Sequence, residues 1–233
     1  QTTAVSAAAI LQRFYCRRSL LEFDIRIVAQ ASLLLACKLE ETHRRLRDVV
    51  AVFHRIKMRD GGGRSFEGIP TPVLEPSSTE AVETRHAVVS AERQILHELG
   101  FAVAAIQEHP HRYVLQFVRS LRRSAGGDEA EPCRDELAQA AWGYLNDSMR
   151  TSLCCEYRPH EIAAAAIYLA SRSVGVRLPE RPPWWAVFDC GGEAVRRVAT
   201  RILRIYATAP LAADDVAARL AALRAERGRR GGR

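Results

Sequence analysis

Thiols and imidazoles are the side chains best suited to nucleophilic or metal chemistry, and the chain has six cysteines and seven histidines. Cys16, Cys37, Cys133, Cys154, Cys155 and Cys190 form no C-x-x-C pair and no ligand spacing with the histidines. That argues against zinc and against a disulfide framework, and points to a reducing compartment. Cys154 and Cys155 stand near His160 with no recognisable third group to activate a thiolate, so covalent catalysis is not indicated. His109 and His111 flank Pro110 at a helix start, where capping or packing accounts for them better than metal binding. Gly61, Gly62 and Gly63 follow no strand and lack the Lys-Ser/Thr partner of a phosphate loop. Trp184 and Trp185 offer faces on which a base can stack, but beside Pro182 and Pro183 they read as filler between helices. With no catalytic constellation, the expectation is a protein that is not an enzyme and uses no cofactor or metal.

The cations carry a second signal. Lys and Arg total 34 against 27 Asp and Glu, a formal charge of +7, and only Lys38 and Lys57 are lysines. Guanidinium groups suit phosphate, although the arginine excess reads chiefly as a compositional bias. The charge is uneven. In the last ten residues Arg224, Arg227, Arg229, Arg230 and Arg233 oppose Glu226, giving +4 and leaving +3 for the rest. That tail is expected to be solvated and disordered, with at most a contact to RNA or a role in nuclear targeting.

At 48% apolar and 26% charged, the 233 residues have the composition of a globular protein of one or two domains. Apolar runs fall far short of the ~18–20 residues that span a bilayer, so no membrane partner is expected. The first residues, from Gln1, carry neither Met nor a basic stretch; they are not a signal peptide and read as a chain opened part-way through a longer one.

The elements that must position these groups are helices. Thr3–Arg17 sets Ala8, Leu11, Phe14 and Tyr15 on one stripe. Asp24 caps a second helix, apolar nearly all round through Ile27, Val28, Ala31, Leu34, Leu35 and Leu39, and therefore central. Arg44–Met58 is a third, with Leu46, Val49, Val50 and Phe53 on one face. Arg59–Glu80 breaks the pattern with three glycines and Pro70, Pro72 and Pro76, and reads as a long loop. Helix returns at Ala81–Leu99, with Gly100 as a stop. Val114, Leu115, Phe117, Val118 and Leu121 mark another, ended by Ala125–Pro132. Arg134–Met149, Pro159–Val174 and Glu193–Tyr206 follow, with a short helical turn in Arg181–Phe188. Ala212–Arg227 is a last, alanine-rich helix for which Asp214 and Asp215 are candidate caps.

The chain also repeats. Leu35-Ala36-Cys37-Lys38 aligns with Leu169-Ala170-Ser171-Arg172 at an offset of 134, and Ile95-Leu96 aligns with Ile202-Leu203 at 107. The difference falls in the loop at 59–80. The fold class is therefore all-α, built from two helical repeats of which the first is interrupted.

Those residues carry a family resemblance. The stretch ASLLLACKLEE (31–41), followed by AERQILHELGF (91–101), resembles the first cyclin box of the cyclin family, and of the cyclin L type in particular. The likeness continues in order through RRLRDVVAVFHRI (44–56), PTPVLEP (70–76), EHPHRYV (108–114), AWGYLNDSMRT (141–151), IYLASRSVGVRLPERPPWWAVF (167–188) and RILRIY (201–206). It implies tandem cyclin boxes over residues 1–107 and 108–210, followed by a helix and a basic Arg/Gly tail at 211–233. The first box lacks its first helix, and the second has all five.

The resemblance implies a regulatory subunit that binds and activates a cyclin-dependent serine/threonine kinase of the transcription and splicing class, in the nucleus. The kinase-binding residues carried over from the family are Lys38 and Glu92, surrounded by Leu39, Leu96, Phe101 and Val103. A Lys–Glu pair at an interface sets the register of two surfaces, and an aromatic such as Phe101 is a typical anchor. Arg172 and Ala199 stand at the Lys and Glu positions of the second repeat, so the pair occurs once. The alternative is a nucleic-acid-binding protein resembling general transcription factor IIB, with Arg44, Arg45, Arg47 and Arg55 as its basic face. Asp48 and the +3 body weigh against it, and nucleic-acid contact is expected of the basic tail alone.

Overall fold

A computed structural model describes residues 1–60, 74–103, 106, 108–124, 131–209 and 211–231. The chain divides into two compact units, Gln1–Gln107 and Glu108–Arg233. Among the described residues every regular element is helical, and no helix is long and apolar enough to cross a membrane.

The first unit holds α1 (Thr2–Tyr15), α2 (Ile25–Leu39), α3 (Leu46–Asp60) and α4 (Thr79–Glu98). Asp24 caps α2 as its sequence indicates, its carboxylate accepting from the Arg26 amide at 2.7 Å. Helix α2 is central, packed by α1, α3 and α4. Its Val28, Ala31, Leu34, Leu35, Ala36 and Cys37 are buried, against Ile10 and Phe14 of α1 and Val88 and Ile95 of α4 in the same core. Each fully buried large apolar side chain contributes roughly 1.5–3 kcal/mol relative to exposure, which is why α2 tolerates so few polar positions.

Two of these helices end in the same device. At the close of α4, the Gly100 amide donates to the His97 carbonyl at 3.0 Å and the Phe101 amide to the Leu96 carbonyl at 2.9 Å. This is a Schellman cap, with Gly100 at φ 60°. At the close of α2, the Thr42 amide donates to the Cys37 carbonyl at 2.9 Å, and Glu41, not a glycine, takes φ 53°.

The second unit holds α5 (His111–Ser124), α6 (Glu131–Ser148), the short α7 (Leu153–Glu156), α8 (Pro159–Val174), a 3₁₀ turn (Trp184–Phe188), α9 (Gly192–Ala207) and α10 (Ala213–Gly231). Helix α8 is its centre, buried from Ile162 through Ile167. Four consecutive alanines, Ala163–Ala166, all lie at 0% exposure and let α5, α6 and α9 approach closely. Phe117 stacks on Phe188 at 3.7 Å between centroids. Trp184 is buried and Trp185 partly buried in this core, so both fill space between helices.

Several boundaries differ from the sequence reading. Helix α1 ends at Tyr15, which leaves Arg17 outside it; α3 begins at Leu46, so Arg44 and Arg45 precede it and are not on its face. Both ends of the stretch 59–80 expected as a loop are helical, since α3 runs to Asp60 and α4 starts at Thr79; Ser78 caps α4 by accepting from the Ala81 amide at 3.3 Å. Gly61–Gly63 and Pro70 and Pro72 lie outside the described residues. Helix α7 has no counterpart in the sequence reading, being a single turn too short for periodicity to show. Helix α10 continues to Gly231, past the expected end at Arg227 and into the tail expected to be disordered, because alanine, leucine and arginine all favour helix. The Val216 amide donates to the Ala212 carbonyl at 3.2 Å, so Asp214 and Asp215 fall inside the first turn, after the cap position.

Candidate functional site

The ends of α2 and α4 carry the residues singled out above. Lys38, in the last turn of α2, extends its Nζ to Glu92 Oε1 of α4 at 2.5 Å. The two partners are unequally placed: the Lys38 side chain is 55% exposed and that of Glu92 10%. The carboxylate is therefore set into the helix pair, and the ammonium lies over it at the surface with donors to spare.

One turn beyond Glu92 the backbone of α4 closes on itself. Leu96 is half-buried, and its carbonyl receives the Phe101 amide through the Schellman cap. Such caps bring the side chains of these two positions together. Phe101 is 67% exposed and takes φ 57°, a left-handed conformation costing roughly 1–2 kcal/mol for a residue with a Cβ. The next turn is tight as well, with the Val103 amide donating to the Phe101 carbonyl at 2.9 Å. Leu39, beside Lys38, and Val103 are both half-buried. The structure thus joins Lys38 to Glu92 by an ion pair, and Leu96 to Phe101 and Phe101 to Val103 by backbone bonds.

A second contact steadies the same end of α4, and the sequence reading missed it. Arg17 donates to the Glu98 carbonyl at 2.5 Å, and Arg18 pairs with the Glu98 carboxylate at 2.5 Å. Cations at a helix C-terminus oppose its partial negative charge. The Arg18 hydrogen bond holds the Glu98 carboxyl below its ordinary value. Nothing in the sequence couples two arginines to a glutamate 81 and 80 residues away.

The equivalent place in the second unit has no such pair. Arg172 is exposed and Ala199 is buried. The other candidates take structural positions. His109 and His111 are buried; His111 bonds Asn146 at 3.0 Å and meets Trp142 edge to face at 4.8 Å. Cys190 is buried, and desolvation pushes its thiol up to about 12. Cys154 and Cys155 lie with their sulfurs 3.9 Å apart. Among the described residues no group of three or more His, Cys, Asp or Glu could hold a metal ion. The basic face considered for nucleic acid is reduced as well, because Arg47 lies 3.5 Å from Asp48.

Comparison with known proteins agrees with this architecture. The sequence model of the cyclin N-terminal domain matches residues 1–104. Cyclin-L1-1 of Arabidopsis thaliana is 35% identical over 206 residues, 88% of this chain and 45% of the relative. The chain belongs to the cyclin family. Human Cyclin-L1 is similar too, at 34% identity over 88% of this chain and 36% of the relative. This cyclin therefore spans less than half the length of these curated relatives. In fold it is similar to a chain of the yeast RNA Pol II CTD kinase CTDK-1 complex, with TM-score 0.63 and 19% identity over 88% of this chain and 59% of that one. A chain of the Chaetomium thermophilum CAK complex bound to ATP-gamma-S gives TM-score 0.62 and 18% identity, over 88% of this chain and 56% of that one.

Proposed function

We propose that this cyclin is the regulatory subunit of a cyclin-dependent serine/threonine kinase, bound through Lys38, Leu39, Glu92, Leu96, Phe101 and Val103. The observation that carries the reading is the exposed Phe101 held on left-handed backbone next to the Lys38–Glu92 pair. A large apolar ring kept mostly in solvent on a costly backbone gains the isolated chain no more than the strain costs it; against a partner it becomes an anchor. Lys38, with donors unused by Glu92, caps carbonyls of the partner and sets its register. The partner element is the kinase's movable regulatory helix. Turned inward, it brings its glutamate to the lysine that holds the ATP phosphates, while the activation loop opens. This cyclin contributes no reacting group.

The likeness to cyclin L and to a chain of an RNA Pol II CTD kinase complex supports a kinase of the transcription and splicing class and a nuclear location. The test is co-purification of the kinase from nuclear extract, read by mass spectrometry. The folded Lys38→Ala/Glu92→Ala protein is expected to lose a cyclin-dependent kinase that the parent chain retains. Equal recovery by the folded double variant overturns the assignment.

A further inference from the structure

The short α7 of the second unit carries two adjacent thiols that share no residue with the site described above. Cys154 is half-buried and Cys155 exposed, neither forms a disulfide, and their sulfurs lie 3.9 Å apart. Both side chains are thus turned towards one another at the surface.

The turn that presents them is fixed on either side. Leu153 is fully buried. Arg201 of α9 donates to Ser152 Oγ and to both carboxylate oxygens of Glu156, each at 3.1 Å. The Ser152 hydroxyl donates to Glu156 Oε1 at 2.8 Å, and the Tyr157 amide closes on the Leu153 carbonyl at 3.0 Å. With its flanks already held, the pair loses little further freedom when a ligand takes both sulfurs.

Three kinds of thiol chemistry compete for such a pair, and geometry separates them. A disulfide holds its sulfurs about 2.05 Å apart and usually spans roughly 4.4–6.8 Å between Cα atoms, more than the about 3.8 Å between consecutive residues. Oxidation would therefore draw the sulfurs together and distort the α7 peptide. A structural zinc ion needs four ligands, and among the described residues no third His, Cys, Asp or Glu completes a metal-holding group here. The Glu156 carboxylate is engaged by Ser152 and Arg201, and His160 meets Tyr113 of α5 edge to face. What remains is a thiophilic centre that needs two thiolates and brings its own third substituent. Bonds of about 2.3 Å to two sulfurs, meeting between a right angle and a tetrahedral one, hold the sulfurs roughly 3.3–3.8 Å apart. The observed 3.9 Å reaches that span by small side-chain rotations, with the helical turn intact.

We propose that Cys154 and Cys155 form a dithiol site for a monosubstituted trivalent arsenical, R–As(OH)2. The thiols displace the two hydroxyls: two As–O bonds break, two As–S bonds form, and each thiol proton leaves with a hydroxide as water. Arsenic stays trivalent and no oxidant is consumed. Because the second bond closes a ring, the pair outcompetes any single thiol of the chain.

The test uses the full chain, reduced, with phenylarsonous acid as the probe. Trypsin, which does not cut the Arg158–Pro159 bond, releases both cysteines and no other in the peptide Thr151–Arg172. Mass spectrometry is expected to find one phenylarsenic group per chain on that peptide, with both its thiols shielded from iodoacetamide. Dimercaptopropanol is expected to release the probe where mercaptoethanol at equal thiol concentration does not. Cys154→Ser and Cys155→Ser, each melting like the parent, are expected to weaken capture about 100-fold or more. Cys16→Ser, which removes an exposed thiol of the first unit, is expected to leave it unchanged. Labelling of a different peptide in the folded chain overturns the proposal, as does undiminished capture by either folded serine variant of the pair.

Discussion

At Phe101 the usual ranking of alanine over glycine should reverse. The residue sits at φ 57°, where a Cβ costs roughly 1–2 kcal/mol, and with 67% of its surface exposed it buries about a third of its ring. Full burial of such a side chain is worth roughly 1.5–3 kcal/mol, so a third contributes about 0.5–1. Phe101→Ala gives up that contribution and keeps the strain, an expected loss of about 0.5–1 kcal/mol. Phe101→Gly gives up the same contribution and sheds the strain, offset by roughly 0.5–1 kcal/mol of added unfolded-state entropy. The net result is a glycine variant within about 1 kcal/mol of the parent and more stable than the alanine variant by up to about 1.5 kcal/mol.

Urea unfolding followed by far-UV circular dichroism measures the order. Tryptophan fluorescence gives a second readout, because Trp142, Trp184 and Trp185 all lie in the second unit. An alanine variant as stable as the glycine variant, or more so, would refute the strained-anchor reasoning. Both variants should lose the kinase in the co-purification assay, separating what Phe101 does for the fold from what it does for a partner.

Three further outcomes follow from the geometry. Lys38→Met should destabilise the first unit by about 1–2 kcal/mol and more than Glu92→Gln does, because it leaves a nine-tenths buried carboxylate without its counter-charge; the double variant should cost less than the sum, and a strictly additive cycle in urea melts would refute the pair. His111, whose protonated form is disfavoured by desolvation, should make the second unit lose stability as pH falls. The loss starts near its ordinary value of 6.5 and continues towards its lowered folded value, because there the unfolded chain binds the extra proton; the slope is at most about 1.4 kcal/mol per pH unit. His111→Gln should flatten that part of the tryptophan-fluorescence profile. Gly143→Ala should raise the melting temperature of the second unit by an amount worth about 0.5–1 kcal/mol, since the methyl group enters open space; a lower melting temperature would show that the α6 backbone needs glycine there.

Much of the architecture was legible because its determinants are local. Asp24 capping α2 and Gly100 closing α4 act on amides or carbonyls within about four residues, and Pro159 opens α8 through its own fixed φ. The starts of α2 and α8, Ile25 and Pro159, are separated by the same 134 residues as the repeat. Boundaries went astray where local signals were weak or mixed. The short α7 has no period to read, and at the arginine-rich end of α10 glycines and charge point to disorder although the helix continues to Gly231.

By itself, the sequence determined the helices, their apolar faces and the two central helices, through hydrogen bonding and periodicity that span only a few positions; the candidate residues Lys38, Glu92 and Phe101 came from the family resemblance its motifs carry. Tertiary structure alone decided what those residues meet. Lys38 reaches a glutamate 54 residues away, Arg18 one 80 away, and Tyr206 an aspartate 59 away. Such meetings depend on how closely packed helices approach, which is set by the summed volumes of buried side chains and written in no single stretch of chain. The left-handed backbone of Phe101 is of the same kind. Gly100 announces the end of the helix, but only the folded turn shows that the residue after it also crosses to positive φ and presents its ring to solvent.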